Sequence, residues 1–252
     1  RYLAGLMTSG IARNMINTVF FNMNSIKGGQ SRPKDAPRFK PIKVGILGAG
    51  MMGSGIAYSQ ASRGIATVLK DVSIEAAEKG KTYSQKLTQR LVDKSRMSSE
   101  KQQALLSLIQ PTASTADLKD CELIIQAAFE NRELKARVAQ EAEPMLAEGG
   151  FFASNTSTLP ISSLALASSA PSKFVGIHFF SPVDKMKLVE IIRGSQTDDK
   201  TIARAYDYVQ ALGKLPIVVN DSRGFYTSRT FGTFVMEGAA MLAEGIPAPV
   251  IE

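Results

Sequence analysis

The chain has 252 residues, enough for one large domain and part of a second, and its 44% hydrophobic content is ordinary for a soluble globular protein. The formal net charge is +7, yet of the 30 Lys and Arg eight lie in residues 1–43 beside the single acid Asp35, and the other 22 are matched by 22 acids. The basic balance therefore belongs to the leader and gives no ground for nucleic-acid binding by the body. A single cysteine, Cys121, excludes an internal disulfide and fits a reducing compartment; beside Leu123-Ile124-Ile125 it reads as a buried structural thiol.

Residues 1–26 carry Leu3, Leu6, Met7, Ile11, Met15, Val19, Met23 and Ile26 at three- and four-residue spacing, which predicts an amphipathic helix. Arg13, Asn14, Asn17, Asn22 and Asn24 interrupt it, so it is no membrane span. The lack of acids in residues 1–34 also fits a mitochondrial transit peptide, while Arg1 in place of Met suggests a piece of a longer chain. Residues 28–41 are rich in Gly, Pro, Lys and Arg and predict a linker.

Residues 42–71 organise the rest. Ile42 to Leu47 is a β-branched, apolar run that predicts a buried strand. Gly48-Ala49-Gly50-Met51-Met52-Gly53 follows, a G-x-G-x-x-G between that strand and a helix over 51–62. Gly48 allows the tight turn, Gly50 lets the backbone approach a pyrophosphate, and Gly53 lets the helix lie close on the strand. A second strand over 66–70 ends at Asp71, where the dinucleotide fingerprint puts the acid for the ribose 2′-hydroxyl. No Arg follows Asp71, so a 2′-phosphate would meet only repulsion; this favours NAD over NADP.

Beyond Asp71 the spacing predicts Lys-rich helices over 74–94 and 99–109, a strand over 123–128, a helix to about 148 and a short strand over 151–154. Strands over 173–179 and 187–192, a helix over 201–212, a strand over 215–220 and a helix over 224–243 complete the chain. Strands alternating with helices imply an α/β fold: a Rossmann-type, doubly wound, mostly parallel sheet, after an N-terminal linker helix and before an all-helical start. The expected division is 1–41, 42–222 and 223–252.

Three runs at expected strand ends carry chemistry: Ser154-Asn155-Thr156-Ser157, His178-Phe179-Phe180-Ser181-Pro182, and Glu190. Ligands of open α/β sheets bind beyond the carboxyl ends of the strands. His178 is the only histidine, and it ends an apolar strand where such a site belongs. A carboxylate from Glu190 against one ring nitrogen would fix the tautomer, leaving a neutral imidazole suited to removing a hydroxyl proton; a purely structural pair is the other reading.

Taken together, Gly-Ala-Gly-Met-Met-Gly, Ala-Ala-Phe-Glu-Asn, Ser-Asn-Thr-Ser, His-Phe-Phe-Ser-Pro-Val-Asp-Lys-Met-Lys-Leu-Val-Glu and Asp-Ser-Arg-Gly-Phe resemble the 3-hydroxyacyl-CoA dehydrogenases of fatty-acid β-oxidation over residues 42–252. The N-terminal helix and linker resemble the connector of the multifunctional hydratase/dehydrogenase subunits, which implies a missing hydratase part and a helical C-terminal domain of which only the start is present. The resemblance implies NAD-dependent oxidation of (S)-3-hydroxyacyl-CoA to 3-oxoacyl-CoA, with His178 as general base, Glu190 as its partner, and Ser157 touching both substrate and nicotinamide. It also implies NAD contacts at Gly48, Gly50, Met52, Gly53, Asp71, Ala128, Phe129, Glu130, Lys135 and Ser181, and acyl-CoA contacts at Ser228 and Lys94. Ser228 stands where many relatives carry Asn, and Arg223 where they carry Pro. No metal is implied. A bacterial cytoplasm, or else the mitochondrial matrix, is the expected compartment, and a homo-oligomer is expected through Phe225, Phe231, Phe234, Val235, Met241 and Leu242 on the last helix. The alternatives are another NAD-dependent hydroxyacid dehydrogenase, or an NAD-binding fragment without turnover.

Overall fold

The computed structural model describes residues 2–251. The N-terminal segment is helical in short pieces: α1 (Tyr2–Thr8), α2 (Gly10–Met15), a π-helical stretch (Ile16–Asn22) and α3 (Met23–Lys27). Ser9 breaks the first turn by capping α2 through Ala12 N. The expected apolar stripe is there, but Leu3, Leu6, Met7, Ile11, Met15 and Val19 are exposed.

The body alternates strand and helix: β1 (Lys43–Leu47), α4 (Met51–Ala61), β2 (Ala66–Lys70), α5 (Ile74–Asp93), α6 (Ser99–Ser107), β3 (Ile109–Thr112), β4 (Cys121–Gln126), α7 (Arg132–Ala142), β5 (Leu146–Ser154), α8 (Ile161–Ala165), β6 (Phe174–Phe179), β7 (Leu188–Arg193), α9 (Asp199–Ala211) and β8 (Leu215–Asn220). Helices α10 (Thr227–Ala243) and α11 (Ala248–Ile251) close the described chain. The strands form one sheet in the order β3-β2-β1-β4-β5-β6-β7-β8. β1 to β6 are parallel, β7 pairs antiparallel with β6, and β8 runs with β7.

Both faces of this sheet are covered, which is why its strands are apolar on both sides. One core packs Ile46, Leu69, Leu123, Phe151, Ile177 and Val189 against α4 and α9, through Ile56, Ala57, Ile202 and Tyr206. The other packs Val68, Ile124, Phe152 and Ile192 against α7 and α8, through Ala139, Ala142, Ile161 and Leu164. Cys121 is fully buried in this second core, and burial pushes its thiol up to about 11, where it is inert at neutral pH.

Several boundaries differ from the sequence reading: α7 stops at Ala142 rather than near 148, and β4 spans Cys121–Gln126 rather than 123–128. Ile109 opens β3 rather than closing a helix; Pro111 sits on this edge strand, where its missing N–H costs no ladder bond. β5 starts at Leu146, not Phe151, with Gly149 and Gly150 beside a register shift against β4. α10 starts at Thr227, so Phe225 lies before the helix, 2% exposed in the core, and offers no surface for association.

The basic linker is held on the body. Arg32, 7% exposed, donates from Nε and Nη2 to Asp207 of α9 at 2.7 and 2.8 Å, and Arg38 and the Phe39 amide complete the carboxylate's partners. The Phe39 ring packs edge-on against Phe151. Tyr206 of α9 also donates to the carbonyl of Ile26 at 2.6 Å.

Candidate active site

Because β1 to β6 are parallel, the loops after them share one edge of the sheet. The glycine loop lies there. Gly48 has φ of +103°, and a Cβ on it would sit 2.8 Å from the Ala127 carbonyl oxygen. A Cβ on Gly53 would sit 1.8 Å from the Gly48 oxygen, so only glycine lets α4 meet the turn. Around Gly50 nothing lies within 4 Å of an added Cβ. Gly50 is the N-cap of α4 and has no side chain to offer, whereas Ser73, Ser98, Asn131 and Asp198 each cap their helix with a side-chain oxygen. The first amides of α4 are thus left facing an open space, with the helix dipole behind them. Asp71, after β2, accepts from the Ala49 amide at 2.6 Å and the Val72 amide at 2.7 Å. It braces the glycine turn and still has lone pairs for a hydroxyl.

The loops after β4 and β5 are tied together by Glu130. Its carboxylate accepts from Thr156 Oγ1 at 2.8 Å and from the Ser157 amide at 2.8 Å. Lys135, 2% exposed, reaches Glu130 at 3.4 Å and donates to the Ala128 carbonyl at 3.1 Å. Burial pulls the Lys135 ammonium below its ordinary range, and Glu130 partly opposes that. Phe129 is 87% exposed on the same loop. The Ser157 hydroxyl makes no hydrogen bond among the described residues.

His178 ends β6 and faces Glu190 of β7 in register. Its Nδ1 lies 2.7 Å from Glu190 Oε2. Glu190 is 0% exposed, and its other bonds come from the Tyr226 amide at 3.1 Å, the Thr227 amide at 2.9 Å and Thr227 Oγ1 at 2.7 Å. Burial pushes this carboxyl up, but the bonds from His178 and Thr227 outweigh it and hold it below the ordinary range. With every acceptor engaged, Glu190 stays ionised and accepts a hydrogen bond from Nδ1–H, which leaves the Nε2 lone pair free. The ring is further fixed by Phe180 at 4.6 Å and Phe225 at 6.0 Å between centroids. Asn155 Oδ1 holds the next amide, Phe179 N, at 2.9 Å.

The remaining sequence candidates scatter. Met52 is half-buried against the first core, and Ser181 is exposed with its hydroxyl 3.6 Å from Met51 Sδ. Ser228 lines a cavity with Thr158 and Arg132. Lys94 follows α5, exposed, and shares no hydrogen bond or ion pair with the His178 group among the described residues.

The family described as "3-hydroxyacyl-CoA dehydrogenase, NAD binding domain" matches residues 43–222. The chain belongs to that family. Fatty acid oxidation complex subunit alpha of Idiomarina loihiensis is 38% identical over 228 residues, 90% of this chain and 32% of that protein. The subunit of the same name from Colwellia psychrerythraea is 40% identical over 225 residues, 86% of this chain and 31% of that protein. The chain therefore spans about a third of the length of these curated relatives. Among solved structures, (S)-3-hydroxybutyryl-CoA dehydrogenase of Ralstonia eutropha superposes with a TM-score of 0.79 at 38% identity, covering 82% of this chain and 74% of that one.

NAD is the cofactor of this family of domains, and the residues present fit it. The uncapped amides above Gly50 suit a pyrophosphate, and the Asp71 carboxylate suits ribose hydroxyls. Three contributors escaped the sequence reading as individuals. Thr227 secures Glu190, Thr156 secures Glu130, and Asn155 fixes the backbone beside His178. Asn155 and Thr156 stood in a run already read as a strand-end loop, whereas nothing local marks Thr227.

Proposed function

We propose that this chain performs the dehydrogenase step of fatty-acid β-oxidation, the NAD-dependent oxidation of (S)-3-hydroxyacyl-CoA to 3-oxoacyl-CoA. The observation that carries the reading is the His178–Glu190 pair at the end of β6, on the sheet edge that also holds the glycine loop. His178 Nε2 accepts the proton of the 3-hydroxyl, and buried Glu190 stabilises the resulting imidazolium through Nδ1–H. The Ser157 hydroxyl donates to the substrate oxygen. Gly48, Gly50, Met52, Gly53 and the α4 amides hold the pyrophosphate, Asp71 the ribose, and Ala128, Phe129, Glu130, Lys135 and Ser181 the nicotinamide half. Bound NAD supplies the hydride acceptor.

The test is NADH fluorescence on mixing the chain and NAD with (S)-3-hydroxybutyryl-CoA or with free 3-hydroxybutyrate. NADH from the thioester alone supports the reading; NADH from the free acid alone favours another hydroxyacid dehydrogenase. A second reading, NAD binding without turnover, is favoured by Phe231, Phe234, Met236 and Leu242 of α10, four apolar side chains that stay exposed. Calorimetric NAD binding with no NADH from any substrate would establish it.

The same proposal divides the chain at 1–41, 42–222 and 223–252, and assigns hydratase and helical parts to the remainder of the relatives' length. The two curated relatives come from bacteria, which favours the cytoplasm over a mitochondrial matrix. Among the described residues no helix is long and apolar enough to cross a membrane. Self-association through α10 is part of this reading, and a monomer by light scattering would remove it.

A further inference from the structure

A cavity of about 560 Å³ opens between the N-terminus of α7, the loop after β5 and the turn before α10. Three arginines, Arg132, Arg223 and Arg229, all exposed, are among its lining residues, and no Asp or Glu is. Among the described residues none of the three forms an ion pair. Arg132 donates to Ser163 Oγ at 3.1 Å, and Arg223 and Arg229 make no side-chain hydrogen bond. Three like charges gathered round one cavity repel each other, and a bound oxyanion reverses that cost. Guanidinium forks match the planar, bidentate geometry of carboxylates and phosphates.

Several lining residues are also sequence neighbours of the candidate active site. Thr158 in its wall follows Ser157, Arg132 lies two residues after Glu130, and Ser228 follows Thr227, which holds Glu190. We propose that this arginine-lined cavity is a subsite for an oxyanion at one end of the substrate, which rests on the acyl-CoA reading above. The oxyanion is either a phosphate of the CoA moiety or a carboxylate that ends the acyl chain.

The test is calorimetric binding to the NAD-loaded chain of three probes. Acetoacetyl-CoA has phosphates and no acyl carboxylate, a carboxylate-ended 3-oxoacyl-pantetheine has the reverse, and acetoacetyl-pantetheine has neither. Arg223→Ala and Arg229→Ala are compared with Arg137→Ala, an exposed α7 residue outside the cavity that makes the same change in net charge. Each cavity variant is expected to weaken one of the first two probes about tenfold, the scale of a lost charged hydrogen bond, and to leave acetoacetyl-pantetheine unchanged. A loss confined to acetoacetyl-CoA identifies a phosphate; a loss confined to the carboxylate probe identifies an acyl carboxylate. If the probes bind and the cavity variants match Arg137→Ala, the subsite is refuted and the acyl-CoA reading stands. If the wild-type chain binds NAD but none of the probes, the acyl-CoA reading falls and the subsite falls with it.

Discussion

Replacing Glu190 by Gln changes one atom, yet the surroundings decide where that atom goes. Oε1 accepts two backbone amides, Tyr226 N at 3.1 Å and Thr227 N at 2.9 Å, so the amide oxygen must face them. The new NH₂ then takes the place of Oε2, 2.7 Å from both Thr227 Oγ1 and His178 Nδ1. The threonine hydroxyl can rotate and accept. His178 Nδ1 can accept only if its proton moves to Nε2, and that caps the lone pair the reaction needs. The expected loss is that of general-base catalysis, roughly 10²–10⁴ in rate. The four charge-assisted bonds at the carboxylate also become neutral ones, which costs stability by about 1 kcal/mol for each. His178 is the only histidine, so the nitrogen-15 NMR spectrum of the imidazole is unambiguous. The wild type should show a protonated Nδ1 and a free Nε2, and Glu190→Gln the reverse. If the variant keeps both the wild-type tautomer and the wild-type rate, the assignment of Glu190 as the positioning partner is wrong.

Gly50→Ala and Gly53→Ala should separate binding from folding. A methyl on Gly50 meets nothing within 4 Å, so thermal stability should hold while NAD affinity falls; one on Gly53 meets the Gly48 oxygen at 1.8 Å and should unfold the turn. Equal melting temperatures for the two variants would contradict this. Arg32→Met removes the buried partner of Asp207 but leaves Arg38 and the Phe39 amide, so the cost should fall at the low end of a broken buried pair, about 3 kcal/mol by urea unfolding. An unchanged midpoint would show that the linker contributes nothing to the body. The lowered carboxyls of Glu190 and Asp207 bind fewer protons folded than unfolded. Their contribution is therefore complete above the ordinary carboxylate range, near pH 4, and is lost as pH falls through their lowered values. Stability measured against pH should drop there, with a shallower drop in Glu190→Gln; parallel curves would refute it.

Much of the sheet was legible because its determinants are local. The strand, glycine loop, helix and second strand of residues 42–71 follow one another with a cue at each step. What escaped depends on partners distant in sequence. β3 is four residues with a proline, recognisable only from its pairing with β2 at the edge. The Arg32–Asp207 pair spans 175 residues, and Asp207 alone looks like the solvent face of a helix. Hydrophobicity alone groups Phe225 with the apolar residues of α10, because it does not say which side of a helix start is buried. Its φ of +50° turns the chain so that the ring lies against His178 and the next two amides point at Glu190. The His178–Glu190 contact needs the one antiparallel pairing in the sheet, and spacing alone yields only two neighbouring strands.

The central claim is that His178 takes the substrate proton. It is tested most directly by single-turnover NADH formation from (S)-3-hydroxybutyryl-CoA, with the protein in excess, for the wild type and His178→Gln. Calorimetry must first show that both bind NAD equally. The account predicts a burst of NADH in the wild type and a rate at least ~10² lower in the variant. Equal bursts would contradict it, whatever else the chain binds.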